Sequence, residues 1–189
     1  MQHHERALGD TIRVLVPLCG KSVDLEWLVA RGHEVVGIEL SELAAQAFFA
    51  ERGFSPQRRE CGGFIEYRHA SLSILVGDFF AATAALTGYC DGAYDRAAMI
   101  ALPDDLRPAY ARHLQTLLAP KAKLLLVTLF FDAAGGPPFS VSPAEVNSAY
   151  ASARVSALSS DDARDDAPGP LERGASFVHE NAYLLEFSG

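Results

Sequence analysis

The sequence predicts an α/β protein: a mostly parallel, doubly wound, twisted sheet with helices on both faces and an antiparallel strand pair at the C-terminus. Three observations predict it. Strand and helix patterns alternate through the first 53 residues. The strand segments are continuous apolar runs, as expected for parallel strands covered on both faces. The chain has 189 residues, enough to bury one sizeable core, so 1–189 is read as a single domain.

Ile12-Arg13-Val14-Leu15-Val16 is rich in β-branched residues and reads as a buried parallel strand. A turn with Pro17 and Gly20 follows, then a helix from Asp24 to Arg31 that presents Leu25, Leu28 and Val29 on one face and stops at Gly32. Glu34 to Ile38 is the second buried strand, ending at Glu39. Ser41 is placed to cap a helix through Glu51, which Gly53 terminates.

Phe64–Arg68 and Leu72–Val76 read as adjacent strands joined by a tight turn, followed by Gly77-Asp78 and a helix from Phe79 to Leu86. Tyr94 to Ile100 reads as a strand with Asp95 and Arg96 inside it or near its end. Pro103-Asp104 opens a helix through Leu118, with Pro108 early enough to be tolerated. Lys123–Phe130 is the most apolar strand and the candidate for the sheet centre. A Gly/Pro-rich loop from Asp132 to Pro143 leads to a helix through Ala151 and a strand near Arg154–Leu158. Ser159–Gly174, acidic and rich in Ser, Pro and Gly, reads as a loop. Asn181–Phe187 closes the chain as a strand paired antiparallel with the preceding one at a sheet edge.

Composition narrows the function. The net charge is −8 and the largest basic cluster is Gln57-Arg58-Arg59, which argues against a protein that grips nucleic acid phosphates. No apolar run is long enough to cross a bilayer. Met1-Gln2-His3-His4-Glu5-Arg6 has no signal-type apolar segment, so a cytoplasmic setting is expected, and with it a monomer that takes a small-molecule substrate. Cys19, Cys61 and Cys90 are odd in number and widely spaced. They read as reduced thiols, mostly buried, rather than metal ligands or disulfide partners; no metal site is expected.

Ligands of open parallel sheets bind beyond the carboxyl ends of the strands. Two such ends lie close in sequence, at Pro17 and at Ile38. Gly20 lets the backbone approach a ligand, and Glu39, nineteen positions on, stands where nucleoside-binding folds place an acid for ribose hydroxyls. A plain surface acid is the competing reading. The loop Pro17-Leu18-Cys19-Gly20-Lys21-Ser22 has one glycine where the dinucleotide fingerprint needs three. That favours a nucleoside cofactor without phosphates, which S-adenosylmethionine is. Asp78, after the strand ending at Val76, fits either an adenine-edge contact or a simple N-cap. Cys19 has no histidine near it in sequence, and His113 shares helical spacing with Leu106, Tyr110, Leu114 and Leu117, so it reads as a packed core residue.

Leu15 to Leu25, Gly37-Ile38-Glu39-Leu40-Ser41, Gly77-Asp78-Phe79-Phe80 and Tyr94-Asp95-Arg96-Ala97-Ala98 through Pro103 together resemble the bacterial thiopurine S-methyltransferase family. Gly136-Pro137-Pro138-Phe139-Ser140-Val141 resembles its later loop. The resemblance runs from about Val14 to the C-terminus and rests on long, unusual strings in one order. It implies a Rossmann-like class I methyltransferase fold, S-adenosylmethionine as cofactor, cofactor contacts at Leu18, Gly20, Glu39, Gly77, Asp78 and Arg96, and a role for Arg96 at the methyl transfer site. The implied reaction methylates a small aromatic or heterocyclic thiol, with selenium and tellurium compounds as further acceptors.

A sulfonium donor and a thiolate acceptor cancel charge on reaction, so a dry site and in-line placement at about 3–3.5 Å would do most of the work. Arg96 suits a cationic partner rather than a base; an internal pair with Asp95 or Asp78 is its alternative. Gly136-Pro137-Pro138-Phe139 shares its prolines with the D/N-P-P-Y/F motif of amino-methylating enzymes, but follows the wrong strand and begins with Gly, so it reads as substrate-loop structure. The family carries an aromatic F-W-x-x-R-W string before the first strand, as a lid. Here Trp27 is the only tryptophan; the expectation is weaker cofactor binding, with either a truncated chain or partial substitution by Phe130, Phe131 and Phe139. The competing reading is a lid-less module that binds S-adenosylmethionine or a nucleoside with little or no catalysis. A nucleic acid methyltransferase is disfavoured by charge and by the displaced Pro-Pro.

Overall fold

A computed structural model describes residues 7–9 and 12–188; the hydrophilic string Met1–Arg6 lies outside them. The described residues form two compact units, 12–94 with 116–119, and 7–9 with 95–115 and 120–188.

The first unit opens with β1 (Arg13–Val16), α1 (Asp24–Ala30), β2 (Glu34–Glu39) and α2 (Glu42–Glu51). β1 pairs in parallel with β2, in the register Arg13↔Glu34 to Val16↔Gly37. Leu25 and Leu28 of α1 are fully buried, which is the face the helical spacing predicts. Gly32 follows α1 at φ 88° and Gly53 follows α2 at φ 69°, left-handed stops that a side chain would strain. The Ser41 hydroxyl accepts the Ala44 amide at 3.3 Å and caps α2 as expected.

β3 (Gln57–Cys61), β4 (Phe64–His69) and β5 (Leu72–Val76) form an antiparallel meander, and β5 pairs in parallel with β2. β6 (Cys90–Asp95) pairs in parallel with β1 through Val14↔Gly92 and Leu15↔Ala93. Within this unit the strand order is β3-β4-β5-β2-β1-β6. β1, flanked by parallel partners on both sides, is its centre; the expectation that Lys123–Phe130 holds the centre is corrected.

Sequence patterning missed β3, and the reason is physical. Gln57 to Glu60 are exposed on an edge strand, so no buried face leaves an alternation to read. Its arginines are spent on carboxylates: Arg58 pairs with Glu42 at 3.4 Å and Glu60 at 3.8 Å, and Arg59 pairs with the buried Glu66. The expected helix from Phe79 to Leu86 is broken into a 3-10 turn at Phe79–Ala81 and α3 (Ala84–Thr87), because Ala82 and Thr83 are extended.

The second unit contains α4 (Ala98–Ala101), α5 (Arg107–Thr116), most of β7 (Leu118–Phe131), α6 (Pro143–Ala149), β8 (Ala153–Asp162), α7 (Pro168–Glu172) and β9 (Val178–Phe187). β9 pairs antiparallel with both β7 and β8. The antiparallel C-terminal pair is therefore present.

Several boundaries differ from expectation. Tyr94–Ile100 is not one strand: β6 ends at Asp95, and Asp95 caps a helix over Ala98–Ala101. The helix expected from Pro103 to Leu118 spans only Arg107–Thr116, and Leu118 already belongs to β7. β8 runs on to Asp162 across a register shift between Ala157 and Ser159. Pro168–Glu172 is α7, so Ser159–Gly174 is not a plain loop; the cross-strand bonding of β9 outweighs its polar composition. His113 is half-buried rather than in the core, and Leu106 is 42% exposed.

Candidate functional site

The carboxyl ends of β1, β2 and β5 meet in the first unit, and five of the six residues singled out by sequence gather there. The Gly20 amide donates to Glu39 Oε2 at 2.9 Å, and the Ser41 amide donates to Oε1 at 2.8 Å. The Gly77 amide donates to the Glu39 carbonyl at 2.9 Å. One residue, Glu39, thus ties the β1 loop, its own strand end and the β5 end together. Each carboxylate oxygen spends one acceptor site on an amide and keeps another, so the group is fixed in place yet can accept further donors.

The loop between β1 and α1 is held in an unusual shape. Leu18 has φ 47° and Gly20 φ 52°. A non-glycine residue in this region costs on the order of 1–3 kcal/mol, a strain found most often at ligand sites. The Cys19 amide donates to the Ile38 carbonyl at 3.0 Å, and the Ser22 amide to the Cys19 carbonyl at 3.1 Å. The Cys19 side chain points into the protein and rests on β2. A Cβ on Gly37 would stand 2.7 Å from its sulfur. Burial, reinforced by the Glu39 charge, raises the Cys19 thiol far above its usual range, so it is a neutral packing group and not a nucleophile. A Cβ on Gly20 would meet nothing within 4 Å, so that side of the loop is open.

Gly77 is a close-approach glycine of another kind: a Cβ there would fall 2.4 Å from the Phe64 ring. The Asp78 carboxylate accepts the Phe80 amide at 2.9 Å and caps the 3-10 turn, the simpler of its two sequence readings. Its side chain remains exposed. Beneath the site, Tyr94 donates to the buried Asp24 at 3.2 Å and stands 6.1 Å from Trp27, which Arg31 covers at 3.9 Å.

Arg96 belongs to the second unit. Its guanidinium is 3.8 Å from Glu180 of β9, with side chains 39% and 36% exposed. Glu180 is thus one partner of Arg96, while Asp95, 1% exposed, turns inward. It accepts Tyr110 Oη at 2.7 Å and the Ala98 and Met99 amides at 2.9 and 3.3 Å. Burial pushes its carboxyl up to about 6, although Tyr110 and the amides pull the other way. Sequence reading missed this cluster. Local pattern offers no signal for it, since Asp95 stands two residues before the N-cap position Ala97 and its other partner, Tyr110, lies fifteen residues on.

The Gly/Pro-rich loop of the second unit is tied down as well. Gly136-Pro137 and Pro137-Pro138 are cis. The Phe139 amide donates to the Ile100 carbonyl at 2.7 Å, and Ser140 Oγ bonds both the amide and the carbonyl of Phe131. Arg107 reaches the Ser140 carbonyl at 3.1 Å and Glu145 at 2.6 Å, and Arg173 reaches the Pro138 carbonyl at 2.8 Å.

A parallel-strand edge with a tethered acid and a single-glycine loop matches the requirements of a nucleoside cofactor without phosphates. Solved structures agree on the fold. A SAM-dependent methyltransferase from Methanosarcina mazei superposes with TM-score 0.65 at 13% identity, covering 97% of this chain and 95% of that one. The 1,6-didemethyltoxoflavin-N1-methyltransferase of Burkholderia thailandensis, solved with its substrate and S-adenosylhomocysteine, gives TM-score 0.62 at 17% identity over 100% of this chain and 76% of that one. The fold and site define an S-adenosylmethionine-dependent methyltransferase acting on small molecules. The family model for thiopurine S-methyltransferase matches residues 1–188, and the Thiopurine S-methyltransferase of Pseudomonas aeruginosa strain UCBPP-PA14 is 47% identical over 92% of this chain and 81% of its own length. This chain belongs to the thiopurine S-methyltransferase family.

Proposed function

We propose that the chain transfers the methyl group of S-adenosylmethionine to a small aromatic or heterocyclic thiol, with thiopurines as the reference acceptors and selenium or tellurium compounds as further ones. The observation that carries it is the Glu39 carboxylate, anchored by the Gly20 and Ser41 amides with an acceptor site left on each oxygen. The residues fit the cofactor. Leu18 and Gly20 line its loop, Glu39 takes the ribose hydroxyls, and Gly77 and Asp78 stand at the adenine edge. Bound there, the cofactor supplies an electrophilic methyl group on a sulfonium.

The chain's own contribution is placement and electrostatics. Arg96 gives a permanent positive charge for a thiolate or an electron-rich heterocycle, and as a guanidinium it does not serve as a base. The neutral Cys19 cannot compete as a methyl acceptor, since its thiolate is suppressed. The match over 1–188 supports one methyltransferase domain. No helix among the described residues is long and apolar enough to cross a membrane, and we read the protein as a cytoplasmic monomer without a nucleic acid partner.

The deciding experiment combines titration calorimetry with S-adenosylhomocysteine and a product assay on 6-mercaptopurine, thiophenol and selenite. Binding with methylated thiol is the expected result. Cofactor binding without product from any acceptor would favour the non-catalytic module, and no heat at millimolar ligand would remove the cofactor site from this loop.

A further inference from the structure

We infer that Asp95 is a positioning residue for Arg96, acting with Tyr110 through the link between β6 and α4. The inference rests on the transfer-site role given to Arg96 above.

Arg96 and Ala97 are all that separates the end of β6 from the start of α4, and α4 has four residues. A helix that short does not hold itself together, because nucleation costs more than its few bonds return. Ala97 is not helical either, at φ −131° and ψ −26°. The backbone that carries Arg96 therefore needs an external clamp, and Asp95 supplies one. One carboxylate oxygen takes the Ala98 and Met99 amides, which lie beyond Arg96, while the carboxylate itself belongs to the residue before it. The loop bearing Arg96 is thus closed on itself across the residue it presents. The other oxygen takes the Tyr110 hydroxyl at 2.7 Å, which anchors the clamp to α5.

The arrangement is costly for the fold. Asp95 is a buried carboxylate with its proton affinity raised by burial. The ionisable groups facing it are Tyr110 from α5 and Tyr150 from the end of α6, both raised well above the usual phenol range; neither supplies a counter-charge. Apolar side chains in these positions would serve stability as well or better. What they would not do is fix the path of two residues between a strand and a one-turn helix.

The experiment is a double-mutant cycle on turnover, measured with radiolabelled methyl donor so that slow variants are read. Arg96→Ala is expected to lower kcat roughly 100-fold, Asp95→Ala roughly 10-fold, and Asp95→Asn, which keeps an acceptor for the amides, less than about threefold. In the Arg96→Ala background, Asp95→Ala is expected to add less than about twofold, because a residue acting only through Arg96 has nothing left to position. If the two losses multiply, or if Asp95→Ala alone leaves kcat intact, the inference is wrong and the role of Arg96 stands. If Arg96→Ala keeps full turnover, the role of Arg96 is wrong, and that single arm shows it. Tyr110→Phe, which removes one hydroxyl from the clamp, replaces Asp95→Ala in the cycle if the latter does not fold; it is expected to cost about threefold and to be equally silent without Arg96.

Discussion

Glu39 and Asp95 both end a parallel strand, and both accept backbone amides, yet they stand in opposite surroundings. Glu39 is half-exposed; its two amides fix the carboxylate without exhausting it. Asp95 is buried, and three donors from its own turn and from Tyr110 consume it. An acid at the carboxyl end of a strand is a ligand-facing group only where acceptor capacity and solvent access remain. Where burial closes it off, it becomes part of the scaffold. Strand position alone does not separate the two cases.

The contrast can be broken most directly at Glu39. Glu39→Ala should weaken S-adenosylhomocysteine binding about 100-fold, near 3 kcal/mol, for two lost hydrogen bonds to a charged acceptor. Titration calorimetry reads it. Affinity within threefold of wild type would mean that Glu39 is a tether and nothing more.

Asp95 should report instead on folding and pH. Its folded pKa near 6 lies above the ordinary 3.8. Between those values the native state binds the proton more tightly than the unfolded chain. Its contribution to stability is therefore largest below pH 4, declines as pH rises to about 6, and is flat above, a total of about 3 kcal/mol. Urea titrations of wild type and Asp95→Asn from pH 4 to 8 should show the difference between them changing over that window and constant beyond it. A difference independent of pH would place the Asp95 proton elsewhere.

A smaller effect sharpens the view of the loop between β1 and α1. Gly37→Ala should cost about 1–3 kcal/mol by driving a methyl group into the Cys19 sulfur, and Cys19→Ala in the same chain should recover most of it. Additive losses in thermal melts would show that Cys19 does not brace the loop against β2. The smallest change belongs to Tyr150→Phe. The Tyr150 hydroxyl is buried and has no hydrogen-bond partner among the described residues. Removing it should alter stability by less than about 0.5 kcal/mol, towards greater stability, since no bond is lost and a buried polar group is relieved. A loss above 1 kcal/mol, read by urea midpoint, would point to a partner such as a buried water.

Much of this was legible in the amino-acid sequence, because the signals are local. Apolar runs mark β1, β2 and β5; Ser41 and Gly53 bracket α2 by their own backbone chemistry; Gly20 and Glu39 stand out by spacing. The strings around Leu18, Glu39, Gly77 and Arg96 were long enough to suggest the family without any structure. Tertiary structure decided what depends on partners distant in the chain. β3 is a strand because β4 offers it a ladder, although its residues face solvent. Ser159 to Asp162 are strand because β9 pairs with them. Asp95 turns inward, where Tyr110, fifteen residues on, donates to it, while Arg96 reaches Glu180 on β9. Periodicity and spacing record what a residue does to its own backbone. Burial, pairing and the fate of a charge depend on which neighbours the fold brings to it.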